Sequence, residues 1–257
     1  MISIEESASA QARIEENKPF RIPVMYENSK TALPKLRWDK KQFLWLDYDD
    51  PLQTDILYDI RTVTRRASSG CLLSVSLQCS QAPSVAEAIR EGSGGPSALD
   101  RFIGLFGREK VPLGTLPDDL YSWRFGKLSR QMLETEIEAE LARRNSTDVD
   151  DMRFTKICDI EYEDGAKMTT IVGIFHRSAD QYLLEACKFE TLEFIPEQPL
   201  PIRIDIPKLT LREFKRLESQ LPLAPNMALE LGNIPVAEAR NFHNMYRYLP
   251  NFAVLES

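Results

Sequence analysis

The 257-residue sequence predicts an α/β fold: a mostly parallel sheet closed by an antiparallel hairpin, with a C-terminal extension behind it. Two observations carry this. Phe43 to Asp49 is apolar on nearly every position, as a strand buried on both faces must be, and a helical pattern and a second apolar strand follow it. Much later, two runs of β-forming residues flank Glu163-Asp164-Gly165, and Asp-Gly between such runs signals a hairpin.

The elements follow in order. Met1 to Glu5 reads as a short strand with no lead-in, and Glu6 to Asn17 has helical character. Phe20 to Tyr26 is a second strand, made irregular by Pro23. A short helix and a turn occupy residues 28–41. After Asp47, Asp49 and Asp50, Pro51 opens a helix whose positions Leu52, Ile56, Leu57, Ile60 and Val63 repeat every 3.6 residues. Ser68-Ser69-Gly70 stops it, and Cys71 to Leu77 is the next strand, giving a parallel crossover unit. Residues 81–117 read as loop, including Gly92-Ser-Gly-Gly95, which lacks the residues of a phosphate-binding loop. Lys127 to Arg144 is a clear helix. Beyond Glu193 the prolines Pro196, Pro199, Pro201 and Pro207 mark a change of texture, so we divide the chain into 1–194 and an extension, 195–257, packed on it. In the extension Thr210 caps a helix to Gln220 with Glu213 completing a capping box, and the aromatic tail from Met245 to Phe252 docks on the body.

Composition narrows the function. A net charge of −7 and a pI near 5.1 argue against a nucleic-acid partner, which needs concentrated Lys and Arg. No apolar run approaches a membrane span, and the acidic N-terminus lacks the pattern of a signal peptide. Cys71, Cys79, Cys158 and Cys187 have no paired spacing, and with His176 and His243 they form no metal-ligand pattern. They read as thiols in a reducing cytoplasm, so a cytoplasmic protein without a metal is expected.

Six segments together resemble a family. Met1-Ile-Ser-Ile-Glu5, Asn17-Lys-Pro-Phe20, Trp45-Leu-Asp-Tyr-Asp49, Tyr162-Glu-Asp-Gly-Ala-Lys-Met168, Pro207-Lys-Leu-Thr210 and Tyr246-Arg-Tyr-Leu-Pro-Asn-Phe252 fall in the order found in uncharacterised bacterial O-methyltransferases. The resemblance implies a Rossmann-like, class I methyltransferase fold, whose sheet ends in such a hairpin, with S-adenosylmethionine as methyl donor and an acceptor it does not identify. It further implies that the opening run is the second strand of that sheet. The first strand and its glycine loop would then be lacking, leaving two apolar edges for self-association. Three explanations stand: a start internal to the fold, a degenerate binding or scaffold protein, or a different fold or direct pairing of the second and fourth strands around a different site.

The resemblance also assigns a site. Glu5, at a strand end, would accept hydrogen bonds from the ribose hydroxyls of the donor. Asp47 and Asp49 stand at the carboxyl end of what would be the fourth strand and alternate onto one face, with Tyr48 on the other. Asp47 and Tyr48 would lie beside the donor, and Asp47 or Asp49 would bind its ammonium group, hold a divalent ion or serve as general base. Against this stands helix capping by Asp49 and Asp50. Tyr121, Trp123 and Phe125 could roof an acceptor pocket, and His176 is a weaker candidate base.

Overall fold

The computed structural model describes residues 1–147, 151–196, 199–224 and 227–249. The chain divides into two compact units, Met1–Ile202 and Arg203–Ser257.

The first unit opens with β1 (Ser3–Ile4), α1 (Gln11–Asn17) and β2 (Val24–Met25). β1 and β2 pair in parallel as a sheet of their own. A short helix, α2 (Ser29–Ala32), is capped by Asn28, whose side chain accepts from the Thr31 N–H. Then come β3 (Phe43–Asp47), α3 (Thr54–Arg66) and β4 (Cys71–Gln78), with β3 and β4 parallel over their whole common length. α4 (Pro83–Glu91), α5 (Ala98–Phe106) and the long α6 (Ser122–Thr147) lead to β5 (Met152–Asp164) and β6 (Ala166–Arg177).

Within the first unit the second sheet runs in the order β3-β4-β6-β5. β6 runs antiparallel to both its neighbours, so β3, β4 and β5 share one direction and only β6 is reversed. This is the mostly parallel sheet with its hairpin, turning at Gly165 with φ +70°, which a residue without a Cβ adopts freely. β1 and β3 stand in different sheets, so the second and fourth strands of the expected fold do not pair directly.

Helices α3 and α6 pack together and share the core with β3, β4 and β6 through Leu57, Ile60, Leu73, Val75, Met132, Leu133, Ile171 and Phe175. Charges inside this contact are matched: Glu136, 4% exposed, takes Lys110 at 3.0 Å, and Glu140 takes Arg65. Arg144 donates to the carbonyls of Thr64 (2.9 Å) and Ala67 (2.8 Å), satisfying the end of α3. Arg130, also buried, reaches Glu161 at 3.2 Å and Asp159 at 3.3 Å.

Two expectations are corrected here. Pro51 does not open α3: the Asp50 carbonyl accepts from Gln78 N–H at 3.2 Å, which keeps the chain extended until Gln53, the residue before the helix. Residues 81–117 are not loop throughout but hold α4 and α5. Pro83 starts the first, and Ser97 caps the second by accepting from Asp100 N–H at 3.1 Å. Phe102 and Phe106 of α5 are drawn into the core.

After α7 (Gln181–Ala186) the short β7 (Ile202–Ile204) straddles the division between units. The second unit is built from α8 (Leu211–Glu218) and α9 (Val236–Met245) around Leu217, Ile234, Ala239 and Phe242. Thr210 and Glu213 form the expected capping box. Of the aromatic tail, residues 250–252 lie outside the described residues.

Candidate functional site

Parallel strands put their carboxyl ends on one edge of a sheet, and ligands of open α/β folds collect there. At that edge a cavity of about 200 Å³ forms between three such ends. Glu6 contributes from beyond β1, Asn28, Ser29 and Lys30 from beyond β2, and Tyr48, Asp50 and Gln53 from beyond β3. The first turns of α3 add Asp55, Ile56 and Asp59.

Asp59 organises this cavity. It is 1% exposed, and its Oδ2 accepts from the Tyr48 hydroxyl at 2.8 Å and from the Ser29 hydroxyl. Its Oδ1 is equally buried and has no hydrogen-bond partner among the described residues. Burial pushes the Asp59 carboxyl above its usual range, while the donors Ser29 and Tyr48 and the charge of Lys30 pull it back. Burial, and then the carboxylate beside it, drive the Tyr48 phenol far above its ordinary value, so it remains a donor. Lys30 is held by Asp55 at 2.7 Å. Four carboxylates and one ammonium thus line the cavity, which favours groups that donate hydrogen bonds or carry positive charge.

The residues expected from the sequence divide around this cavity. Tyr48 lines it. Glu5 immediately precedes the lining Glu6, and its carboxylate accepts from the Ser3 hydroxyl at 3.0 Å. Asp47 and Asp49 are exposed and lie outside the lining. Asp47 continues the face of Phe43 and Trp45 and stands opposite Ser76, whose hydroxyl accepts from Trp45 Nε1 at 3.0 Å. Partial burial raises the Asp47 carboxyl above its usual range, the nearby Asp49 charge raises it further, and a hydrogen bond from Ser76 opposes both. Phe125 is fully buried in the core, whereas Tyr121 and Trp123 border a second, open cleft near the end of β4. His176 sits at the far end of β6, opposite the start of β4, where Thr155 Oγ1 meets its Nε2 at 2.9 Å. That is the wrong edge for a ligand site. Cys71 and Cys79 are buried, Cys158 is half-buried and Cys187 exposed.

Asp59 and Ser29 were not anticipated. The signal for Asp59 was present: an acid at position 59 interrupts the apolar stripe Ile56, Ile60, Val63, and an acid on a buried face needs a partner.

The described residues offer no group of three or more His, Cys, Asp or Glu placed to hold a metal ion. Among them no helix is long and apolar enough to cross a membrane. A nucleoside fits the cavity chemically. Its exocyclic amine and hydroxyls are donors, and the buried Asp59 Oδ1 is an acceptor without a partner. At about 200 Å³ the space takes part of such a molecule rather than all of it.

The strand order and the parallel crossover are those of an α/β protein, consistent with a Rossmann-like fold of the methyltransferase type. The chain matches, over residues 1–257, the model of the family described as "Putative O-methyltransferase", and it belongs to that family. No curated protein matches it.

Proposed function

We propose that the protein transfers a methyl group from S-adenosylmethionine to a hydroxyl oxygen. The observation that carries this is the cavity where β1, β2 and β3 end, with the partnerless Asp59 oxygen inside it. When bound, the donor supplies a methyl on positive sulfur, which a lone pair on oxygen can displace. In this reading Asp59 accepts from the adenine amine or a sugar hydroxyl, Tyr48 and Ser29 hold its other oxygen in place, and Glu5 accepts from the ribose. Of Asp47 and Asp49, beyond the exposed strand end, the one that is not the base faces the ammonium of the donor.

Asp47 and Asp49 are the candidate general bases. One of them takes the acceptor proton as the oxygen forms its bond to the methyl carbon and the carbon–sulfur bond breaks, leaving a neutral thioether. Asp47 suits this role because partial burial and Asp49 bring its carboxyl nearer to neutral pH, where a base is most effective. No metal enters this reading. Titration calorimetry with S-adenosylhomocysteine tests it. Binding that falls about tenfold or more in Asp59→Asn supports the site, and no heat at millimolar ligand rejects it.

The split between the two sheets favours a second reading, binding without turnover. In the Rossmann-like arrangement a central strand joins what are here β1 and β3, and its loop lies against the donor. Among the described residues β3 is an edge strand, and β1 pairs with β2 alone. Under that reading S-adenosylhomocysteine binds but no hydroxyl compound is methylated.

A further inference from the structure

We propose that the open cleft between Tyr121 and Trp123 binds a planar hydroxyaromatic compound. Its assignment as the methyl acceptor rests on the reading above; its chemistry does not. The cleft, of about 440 Å³, is lined by Asp118, Tyr121, Ser122, Trp123 and Arg124. Tyr121 is 44% exposed, Trp123 is half-buried against the core, and both border the cleft, where an aromatic face open to solvent is a platform for a flat apolar ligand.

The backbone between the two residues is held in an uncommon conformation. Ser122, between them, has φ +54°, a left-handed conformation that is strained for a residue with a side chain. Three contacts fix it. Ser122 N–H donates to the Ser80 carbonyl at 2.8 Å, Tyr121 forms a bridge with Gln81, and Lys167 Nζ donates to Ser122 Oγ at 2.9 Å. The same ammonium stands 5.4 Å from the centre of the Trp123 ring.

Those contacts also specify what the ligand carries. Because Ser122 Oγ accepts from Lys167, its own proton is directed elsewhere, and the cleft it lines is where an acceptor can meet it. An oxygen on a flat ring satisfies that donor, and the charge of Lys167 behind the serine favours that oxygen as phenolate. Lys167 is thus a positioning residue acting through Ser122. The location is consistent with methyl transfer. Ser80 lies two residues beyond Gln78, which bonds to the Asp50 carbonyl, and Asp50 lines the first cavity. Both sites therefore border the carboxyl ends of β3 and β4, which are neighbours in the sheet.

Calorimetry of the whole chain with catechol and with cyclohexane-1,2-diol tests the proposal, since the diol keeps the hydroxyls and loses the flat ring. Catechol is expected to bind about tenfold more tightly, and Trp123→Ala to abolish the difference while Trp123→Phe retains it. Equal binding of the two compounds, or no catechol binding at millimolar concentration, overturns the proposal without need of a variant. For Lys167 the readout is spectroscopic. Bound 4-nitrophenol is expected to shift toward its coloured anion in the parent chain and not in Lys167→Met, and an unchanged spectrum in the parent chain overturns that role. S-adenosylhomocysteine is titrated separately. Catechol binding with no nucleoside binding rejects the donor site and keeps the cleft, and the converse rejects the cleft alone.

Discussion

Asp59 shows how one buried side chain links stability to ligand chemistry. Its Oδ2 is bound twice and its Oδ1 not at all within the described chain. Tyr48→Phe removes one donor from a buried carboxylate and is expected to cost about 1.5 kcal/mol in denaturant unfolding. The folded-state carboxyl of Asp59 is raised, so the native chain holds this proton more tightly than the unfolded chain. Its contribution therefore favours the fold at low pH and is lost as pH rises from the ordinary aspartate value through the raised one. Asp59→Asn should flatten that part of the stability profile, as thermal melts across pH would read. At Asp47 the expected effect is on rate. Under the proposed mechanism Asp47→Asn lowers kcat by about a hundredfold or more and removes the rise of rate with pH near the raised Asp47 value, as a pH–rate profile would show. Of the strand-end residues named from the sequence, Tyr48 lines the cavity, and it could be singled out because alternation along a strand is local. Ser29 was not, because its bond to Asp59 spans 30 positions of sequence and no local pattern carries it.

Local signals also decided which elements could be read. The hairpin and the Thr210 capping box came through because both depend on residues a few positions apart. α4, α5 and α9 did not: the first two are nine residues each, and α9 begins after Pro235 with no side-chain cap. Within the hairpin, Gly173 faces the ring of Phe154, and a Cβ built there would lie 2.2 Å from it. Phe154 in turn lies against the buried Phe175, with ring centroids 4.9 Å apart and tilted by 52°, which limits its room to move. Gly173→Ala is expected to destabilise the protein by about 1–3 kcal/mol, measured by chemical denaturation. Glycine there serves close packing rather than a turn.

For the molecule as a whole, the α/β class and the direction of its strands were readable, and the division into two sheets was not, since strand order depends on pairings far apart in sequence. That division leaves β3 as an edge strand with Phe43 67% and Trp45 58% exposed on one of its faces. An apolar edge of this kind invites pairing with another chain. Sedimentation velocity is expected to show self-association that Trp45→Lys reduces, and a monomer at all concentrations would count against it.

The ladder between β4 and β6 has a further consequence, in time rather than space. Ser76 and Thr170, whose hydroxyls meet at 2.9 Å, are separated by 94 positions. During synthesis at ~5–20 residues per second, β4 therefore emerges about 5–20 s before its antiparallel neighbour exists. Through that interval β4 has β3 as its strand neighbour and no antiparallel one, and the late hairpin is what ends the wait.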